Sequence, residues 1–504
     1  MDWFRNKKDT KQPQEPTAPV ISQPDIQTED VSSRNQCLAQ LDKLFAPVPS
    51  KGMAVKIYLE NFKSLNQAFG YEYCEKLLSQ ITAYLKDISE VTVYRYIGVE
   101  FILILDGCTE GQASALADTV LERFENVWKV DDVDCLCSAQ IGLCSYPEHS
   151  ENTQMLLKHL DIAVQAATEQ GANQSAVYDS VLHEKAIRRQ AIARYLQTAL
   201  EKNELEVRYR PTYNLKEKRF TRADSYMRIF IQGIGLVGAA EFIPIAEDSG
   251  QIRAVGYYAL EHAGQFIHEL IQAKKDFESI CIPVSPILLV QEDFLDQVNN
   301  ILDRYEIPEG KLALELDDEA LSSVYINVNV IMQELSSMGV ELVLNHFGSG
   351  CAPVTSVLDL PVNTVKLERM FVWQLENNPA SACIAGGLIQ IARDLDLRII
   401  AEGVETENQI KALNHYACTY QQGFYYAPTM EKDVLMKVLG STLEESRVTI
   451  EEEKLKESNF VKGTIGVGNV CETTALLAAK SRTLIQHKTI YPKTTVAIAQ
   501  VTSR

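Results

Sequence analysis

The chain has 504 residues, 46% of them hydrophobic and 23% charged, which suits a globular protein of two packed domains with tails. Its formal net charge of −20 repels nucleic-acid phosphates and anionic lipid, so no nucleic-acid partner is expected. No apolar run reaches the ~18 residues of a membrane span, and Met1-Asp2-Trp3-Phe4-Arg5-Asn6-Lys7-Lys8 lacks the apolar stretch of a secretory signal.

Residues 1–34, rich in Pro, Gln, Thr and acidic positions, read as a disordered tail. A helix is predicted over 35–45, a buried strand over 53–59 and a helix over 74–85. Strands are predicted over 91–95 and 101–105, joined by the turn Ile97-Gly98-Val99-Glu100, and a further strand over 133–145. In that last stretch Cys135 and Cys137 should share a buried face. A helix follows over 153–170, which completes an α/β domain at 35–180. The 11 cysteines are odd in number and lack CxxC spacing, so neither a zinc site nor a disulfide framework is expected, and the reducing cytoplasm is the expected compartment.

A linker helix is predicted over 181–200, with Lys185, Arg188, Arg189 and Arg194 on a solvated face. From 201 to 440, strand and helix patterns alternate, which predicts a (β/α)8 barrel. Reactive groups of such barrels sit at the C-terminal ends of strands, and Asp224, Pro283, Glu315, Asn345, Lys366 and Glu402 fall at or near such ends. Residues 441–504 are expected to form a poorly ordered extension, opening with an acidic helix over 442–458.

Several segments carry a family resemblance. Tyr209-Arg210-Pro211, Glu241-Phe242-Ile243-Pro244, Val365-Lys366-Leu367-Glu368, Ala401-Glu402-Gly403-Val404-Glu405 and Gln421-Gln422-Gly423-Phe424 with Pro428 resemble, in order, the EAL phosphodiesterases of cyclic di-GMP signalling. Arg95-Tyr96-Ile97-Gly98-Val99-Glu100-Phe101 and Asn61-Phe62-Lys63-Ser64-Leu65-Asn66 resemble the GGDEF cyclase domain. The resemblance implies a tandem protein of fold class α/β, a GGDEF domain followed by an EAL-type (β/α)8 barrel.

It also implies that both catalytic sets are degenerate. The Glu-Ala-Leu triplet aligns with Asp224-Ser225-Tyr226, and the family's metal-binding Asn with Pro283. The paired aspartates of the DDFG loop are Asn345 and His346, and the Asp of the KxD segment is Glu368. Glu315 survives unchanged, with Glu402 as a second survivor. Magnesium prefers hard anionic oxygens, so no cofactor is expected to be required, and Mg²⁺ would matter only to residual phosphodiesterase activity. In the first domain Ile97 and Val99 replace a Gly and the Asp of the signature, and Tyr58 replaces the metal-binding Asp of the first strand. Asn66 could touch guanine or merely cap a turn.

Ligand contacts that the resemblance carries over are Arg228 and Lys366 to phosphate, with Glu402, Glu405, Gln422 and Pro428 around the base. Tyr226 adds an aromatic face for guanine, a change similar to the degenerate FimX-type EAL receptors that regulate type IV pili. Arg210 stands in place of the usual Gln. Three readings remain open: a non-catalytic cyclic di-GMP receptor acting also as a protein platform, with output through pili or motility; a weak phosphodiesterase; and a nucleotide-independent scaffold. The first domain is expected to aid homodimerisation or to relay a state through the linker helix.

Overall fold

The computed structural model describes residues 26–45, 50–89, 92–317, 328–348 and 354–464. They form two compact units that divide between Arg188 and Arg189, inside the helix Ser180–Glu201.

The first unit is built on a five-stranded sheet. Its strands in the sheet are β1 (Gly52–Leu59), β2 (Val93–Ile97), β3 (Glu100–Asp106), β6 (Ala139–Tyr146) and β7 (Gln174–Val177), in the order β2-β3-β1-β6-β7. A separate ribbon pairs β4 (Trp128–Val130) with β5 (Val133–Cys135). The expected single strand over 133–145 is therefore two strands broken at 136–138, although Cys135 and Cys137 are both buried and Leu136 between them is 63% exposed. β2 and β3 are joined by a two-residue turn with Ile97 opposite Glu100. Gly98 takes φ +56 at its first position, the glycine site of a type II′ hairpin, so the one retained glycine preserves the turn.

Gly142 on β6 lies under the helix Thr153–Thr168, where an added Cβ would meet Leu160 O at 2.6 Å. β6 and this helix thus touch through a contact only glycine allows. The helix Ile26–Leu44 begins nine residues inside the expected tail and buries Cys37, Leu41 and Leu44, so its apolar face, not the polarity of its first turns, decides its extent. Residues 1–25 lie outside the described residues.

The second unit is a barrel. Its strands are β8 (Glu206–Asn214), β9 (Arg219–Ile231), β10 (Gly235–Gly238), β11 (Ser279–Pro283), β12 (Leu312–Asp317), β13 (Glu341–Phe347), β14 (Thr364–Leu367), β15 (Arg398–Glu402) and β16 (Tyr420–Gln422). The order β10-β9-β11-β12-β13-β14-β15-β16-β8 is closed by pairing of β8 with β9, and β10 extends the edge of β9. One strand departs from an all-parallel barrel: β8 runs antiparallel to both neighbours. The cause is local. Asn214 Oδ1 accepts the backbone N–H of Lys216 and Glu217, which makes a tight hairpin where a crossover helix would otherwise stand.

Helices 252–272, 294–304 and 379–394 cover the outside of the barrel, their apolar faces packed on the strands in one continuous core. The helix Leu443–Thr464 is also formed, and Ile450 and Glu453 on it are buried. Its first part is thus not a poorly ordered extension, while residues 465–504 lie outside the described residues. No helix among the described residues is long and apolar enough to cross a membrane. Nine of the cysteines lie in the described residues and all nine are unpaired.

Candidate functional site

Strand alternation and the barrel's curvature bring Asp224, from the middle of the long strand β9, together with the C-terminal ends of β12, β14, β15 and β16 into one cluster. Lys366 on β14, 1% exposed, stands at its centre. Its Nζ lies 2.6 Å from Asp224 Oδ2, 2.5 Å from Glu315 Oε2 and 3.7 Å from Glu402 Oε1. Gln422 donates from Nε2 to the same Asp224 oxygen at 2.8 Å and to Thr212 Oγ1 at 2.9 Å, which fixes its amide. Three of the carboxylates singled out from sequence are therefore assembled around the Lys366 ammonium, with Gln422 joined to them through Asp224.

The charge balance is one cation against three carboxylates. Burial opposes the charge on Lys366, yet Asp224, Glu315 and Glu402 overcome it and hold its pKa well above that of an ordinary lysine. Glu315 absorbs the surplus: burial, aided by Asp224 and Glu402 and resisted by Lys366, pushes it up to about 7. A carboxyl raised in the folded state binds its proton more tightly there than in the unfolded chain, so its contribution to stability is greatest at low pH. That contribution is lost as pH climbs from the ordinary 4.5 toward 7. Glu315→Gln is expected to flatten this slope, at most about 1.4 kcal/mol per pH unit, in denaturant melts between about pH 5 and 8. Parallel slopes in both proteins would remove Glu315 as the source.

A second group lies at the same mouth. His346, at φ +55, points Nδ1 at Glu368 Oε2, 2.5 Å away, while Nε2 lies 3.5 Å from Asp317 Oδ1. The His346 contact lowers the pKa of Glu368. Asn345 donates to the same Asp317 carboxylate at 3.0 Å. Asp317 was not singled out in the sequence, although strand period two places it on the face of Glu315.

Other expected contacts stand differently. Arg228 does not present an open guanidinium: Nε and Nη2 donate to Glu206 at 2.7 and 3.0 Å, across the β8–β9 register. Tyr226 does not offer both ring faces, because the Arg210 guanidinium carbon lies 4.8 Å from its centroid. Glu405 is exposed, Pro428 is buried and Pro283 is exposed at the end of β11. Gly423 packs so closely on Val404 that no Cβ would fit, which holds the Gln421-Gln422-Gly423 and Glu402-Gly403-Val404 segments together.

Whether these residues suit a pair of magnesium ions can be judged from their donors. Asp224, Cys281 and Glu315 bring ligand atoms within 4.8 Å of one another. Burial pushes the Cys281 thiol well up, so it stays protonated, and a thiol is a poor magnesium ligand in any case. One oxygen of each carboxylate is already on Lys366, Pro283 has no side-chain donor, and His346 and Asn345 are engaged with carboxylates. The set does not fit two magnesium ions.

The first unit repeats the motif in miniature. Glu100, the acidic residue left in the hairpin, lies 2.9 Å from the buried Lys56 Nζ, which also meets Asp161 at 2.6 Å. Ile97 is exposed at the turn. Asn66 does not cap a turn: it sits inside the helix Phe62–Phe69, and its buried Oδ1 has no hydrogen-bond partner among the described residues.

Comparison with known proteins agrees with this architecture. Residues 27–174 match the family described as diguanylate cyclase, GGDEF domain, and residues 193–429 match the EAL domain. The chain carries a GGDEF domain followed by an EAL domain. Residues 438–499 also match a family described as the cobalamin synthesis G C-terminus. The bifunctional diguanylate cyclase/cyclic di-GMP phosphodiesterase MucR of Pseudomonas aeruginosa is 26% identical over 380 residues, covering 75% of this chain and 56% of MucR. The chain spans about half the length of the curated relatives it matches. Among solved structures, the S helix-GGDEF-EAL portion of Vibrio cholerae LapD, bound to c-di-GMP, aligns with a TM-score of 0.52 at 16% identity over 78% of this chain and 93% of that one. The EAL domain of Pseudomonas aeruginosa FimX bound to c-di-GMP is 20% identical with a TM-score of 0.44, covering 47% of this chain and 96% of that one.

Proposed function

We propose that the GGDEF–EAL chain is a cyclic di-GMP receptor of the cytoplasm that binds the nucleotide at the mouth of its EAL barrel without hydrolysing it. The observation that carries this reading is the Lys366 ammonium seated on Asp224 and Glu315. In an EAL phosphodiesterase, carboxylates of this kind hold the divalent ions that activate water and take up charge on phosphorus. Here a fixed side-chain cation occupies those oxygens, so they are not open to a divalent ion and no group is placed to generate hydroxide. Glu402 and Tyr226, each partly exposed, remain to meet a guanine, and cyclase chemistry is absent from the first domain for want of the signature's first Gly and its Asp.

A weak phosphodiesterase is the second reading, favoured by the closeness of Asp224, Cys281 and Glu315. Calorimetric titration of the full chain with cyclic di-GMP, in EDTA and in Mg²⁺ or Mn²⁺, is expected to show binding in all three buffers. Chromatography of the mixtures should show no linear dinucleotide. Turnover near 1 s⁻¹, the low end for ordinary enzymes, would replace the receptor reading with the second, and an absence of heat in every buffer would leave a nucleotide-independent scaffold.

A further inference from the structure

We infer that Arg210 holds a phosphodiester group of the bound dinucleotide, doing by a fixed guanidinium what metal ions do in the hydrolytic relatives. This rests on the receptor reading above and adds a residue that the family resemblance does not supply, since the resemblance puts Gln at this position.

The placement comes from register. β8 runs against β9 with Arg210 directly opposite Asp224, and cross-strand partners share a face. Two positions along, Thr212 on the same face meets Gln422 inside the barrel. The Tyr226 hydroxyl feels the charges of Glu402, Arg210, Asp224 and Lys366 together, so the guanidinium belongs to the same pocket as the assembled carboxylates.

Its bonding is what sets Arg210 apart. Other arginines of β8 and β9 are neutralised: Arg208 by Glu453, Arg222 by Glu341 and Arg228 by Glu206. No carboxylate among the described residues lies within 4.0 Å of the Arg210 guanidinium, and its one recorded side-chain contact is the Tyr226 ring at 4.8 Å. The nearest acid by register, Asp224, has its inner oxygen on Lys366 and Gln422. A guanidinium does not lose its proton in a protein. Arg210 is thus a permanent, half-buried charge over an aromatic ring, with no carboxylate among the described residues on its N–H groups. That is the arrangement that takes a phosphate through two parallel hydrogen bonds.

The charge logic agrees. A pocket with Asp224, Glu315 and Glu402 repels a dianion unless cations offset them, and Lys366 alone leaves two carboxylates over. Arg210 reduces that excess without any divalent ion.

The test is titration of the full chain with cyclic di-GMP in EDTA and in about 5 mM Mg²⁺, alongside Arg210→Gln and Arg210→Met. Wild-type Kd is expected to agree within about threefold between the buffers. Both variants should bind at least about tenfold more weakly, the loss of a hydrogen bond to a charged group. They should melt within about 2 °C of wild type, because Arg210 holds no ion pair; a larger drop in Arg210→Gln alone is resolved by Arg210→Met, which keeps the apolar stem over Tyr226. Wild-type binding with unchanged affinity in both variants overturns the role of Arg210 and leaves the receptor reading standing. Binding that requires Mg²⁺ overturns the substitution of guanidinium for metal. No wild-type binding in either buffer brings down the receptor reading and this inference with it.

Discussion

Lys366→Met is expected to lower the melting temperature of the full chain by about 10 °C at pH 7.5. Breaking a buried ion pair by removing one partner typically costs about 3–5 kcal/mol, because the remaining charge has lost its compensation in a poor solvent. Here the remaining charges are Asp224 and Glu315, both buried, with Glu402 at the edge. The loss should shrink as pH falls, since protonating the carboxylates relieves it, and the triple variant Lys366→Met/Asp224→Asn/Glu315→Gln should recover much of the drop. Millimolar Mg²⁺ should stabilise Lys366→Met more than wild type, as a divalent ion can then approach oxygens the ammonium had covered. A variant that melts with wild type across this pH range would mean that the ammonium does not compensate these acids, and the receptor reading would lose its main support.

The same site shows what a sequence can and cannot disclose. Glu315, Lys366 and Glu402 were legible as a group because each sits at or near a strand's C-terminal end, and a barrel turns such ends into neighbours whatever the loops do; Asp224 joins them from the middle of β9, which runs on to Ile231. Gln422 came from the family resemblance of its segment. The pairing of Arg228 was hidden for a reason no single strand discloses: its partner Glu206 lies 22 residues away in sequence and opposite it only through the β8–β9 register. The direction of β8 was hidden likewise, since a hairpin and a crossover begin with similar strand patterns. The helix Glu110–Phe124 escaped notice because Ala113 and Ala117 supply much of its buried face, and small side chains leave a faint apolar period. His346 shows the opposite limit. Its loss of metal-binding oxygen was plain from residue type, but its bridge between Glu368 and Asp317 required the fold.

The larger surprise lies past the end of the EAL match at residue 429. Glu453, on the helix Leu443–Thr464, is 2% exposed, and its Oε1 accepts from Arg208 Nη2 at 2.7 Å. Arg208 is 4% exposed and also reaches Thr429 O at 2.9 Å, Glu206 at 3.1 Å and Glu431 at 3.4 Å. At the helix's start Ser441 O accepts Phe220 N–H at 3.0 Å and Gly440 N–H donates to Phe220 O at 2.8 Å. The segment is thus tied to β9 at one end and to β8 at the other. β8 carries Arg210 two positions from Arg208, so the anchor of the C-terminal helix and the mouth of the barrel share one strand. Glu453→Ala is expected to cost about 3 kcal/mol, seen as a melting temperature lower by about 6–10 °C, because it removes the one fully buried carboxylate on the Arg208 guanidinium and leaves only the more exposed Glu206 and Glu431. Glu451→Ala, on the same helix but paired only with Lys454 at the surface, should stay within about 0.5 kcal/mol of wild type. Equal melting of the two variants would mean that the helix merely lies against the barrel. A drop confined to Glu453→Ala would make residues 443–456 a working part of the EAL domain, one whose release would loosen the strand that carries Arg210.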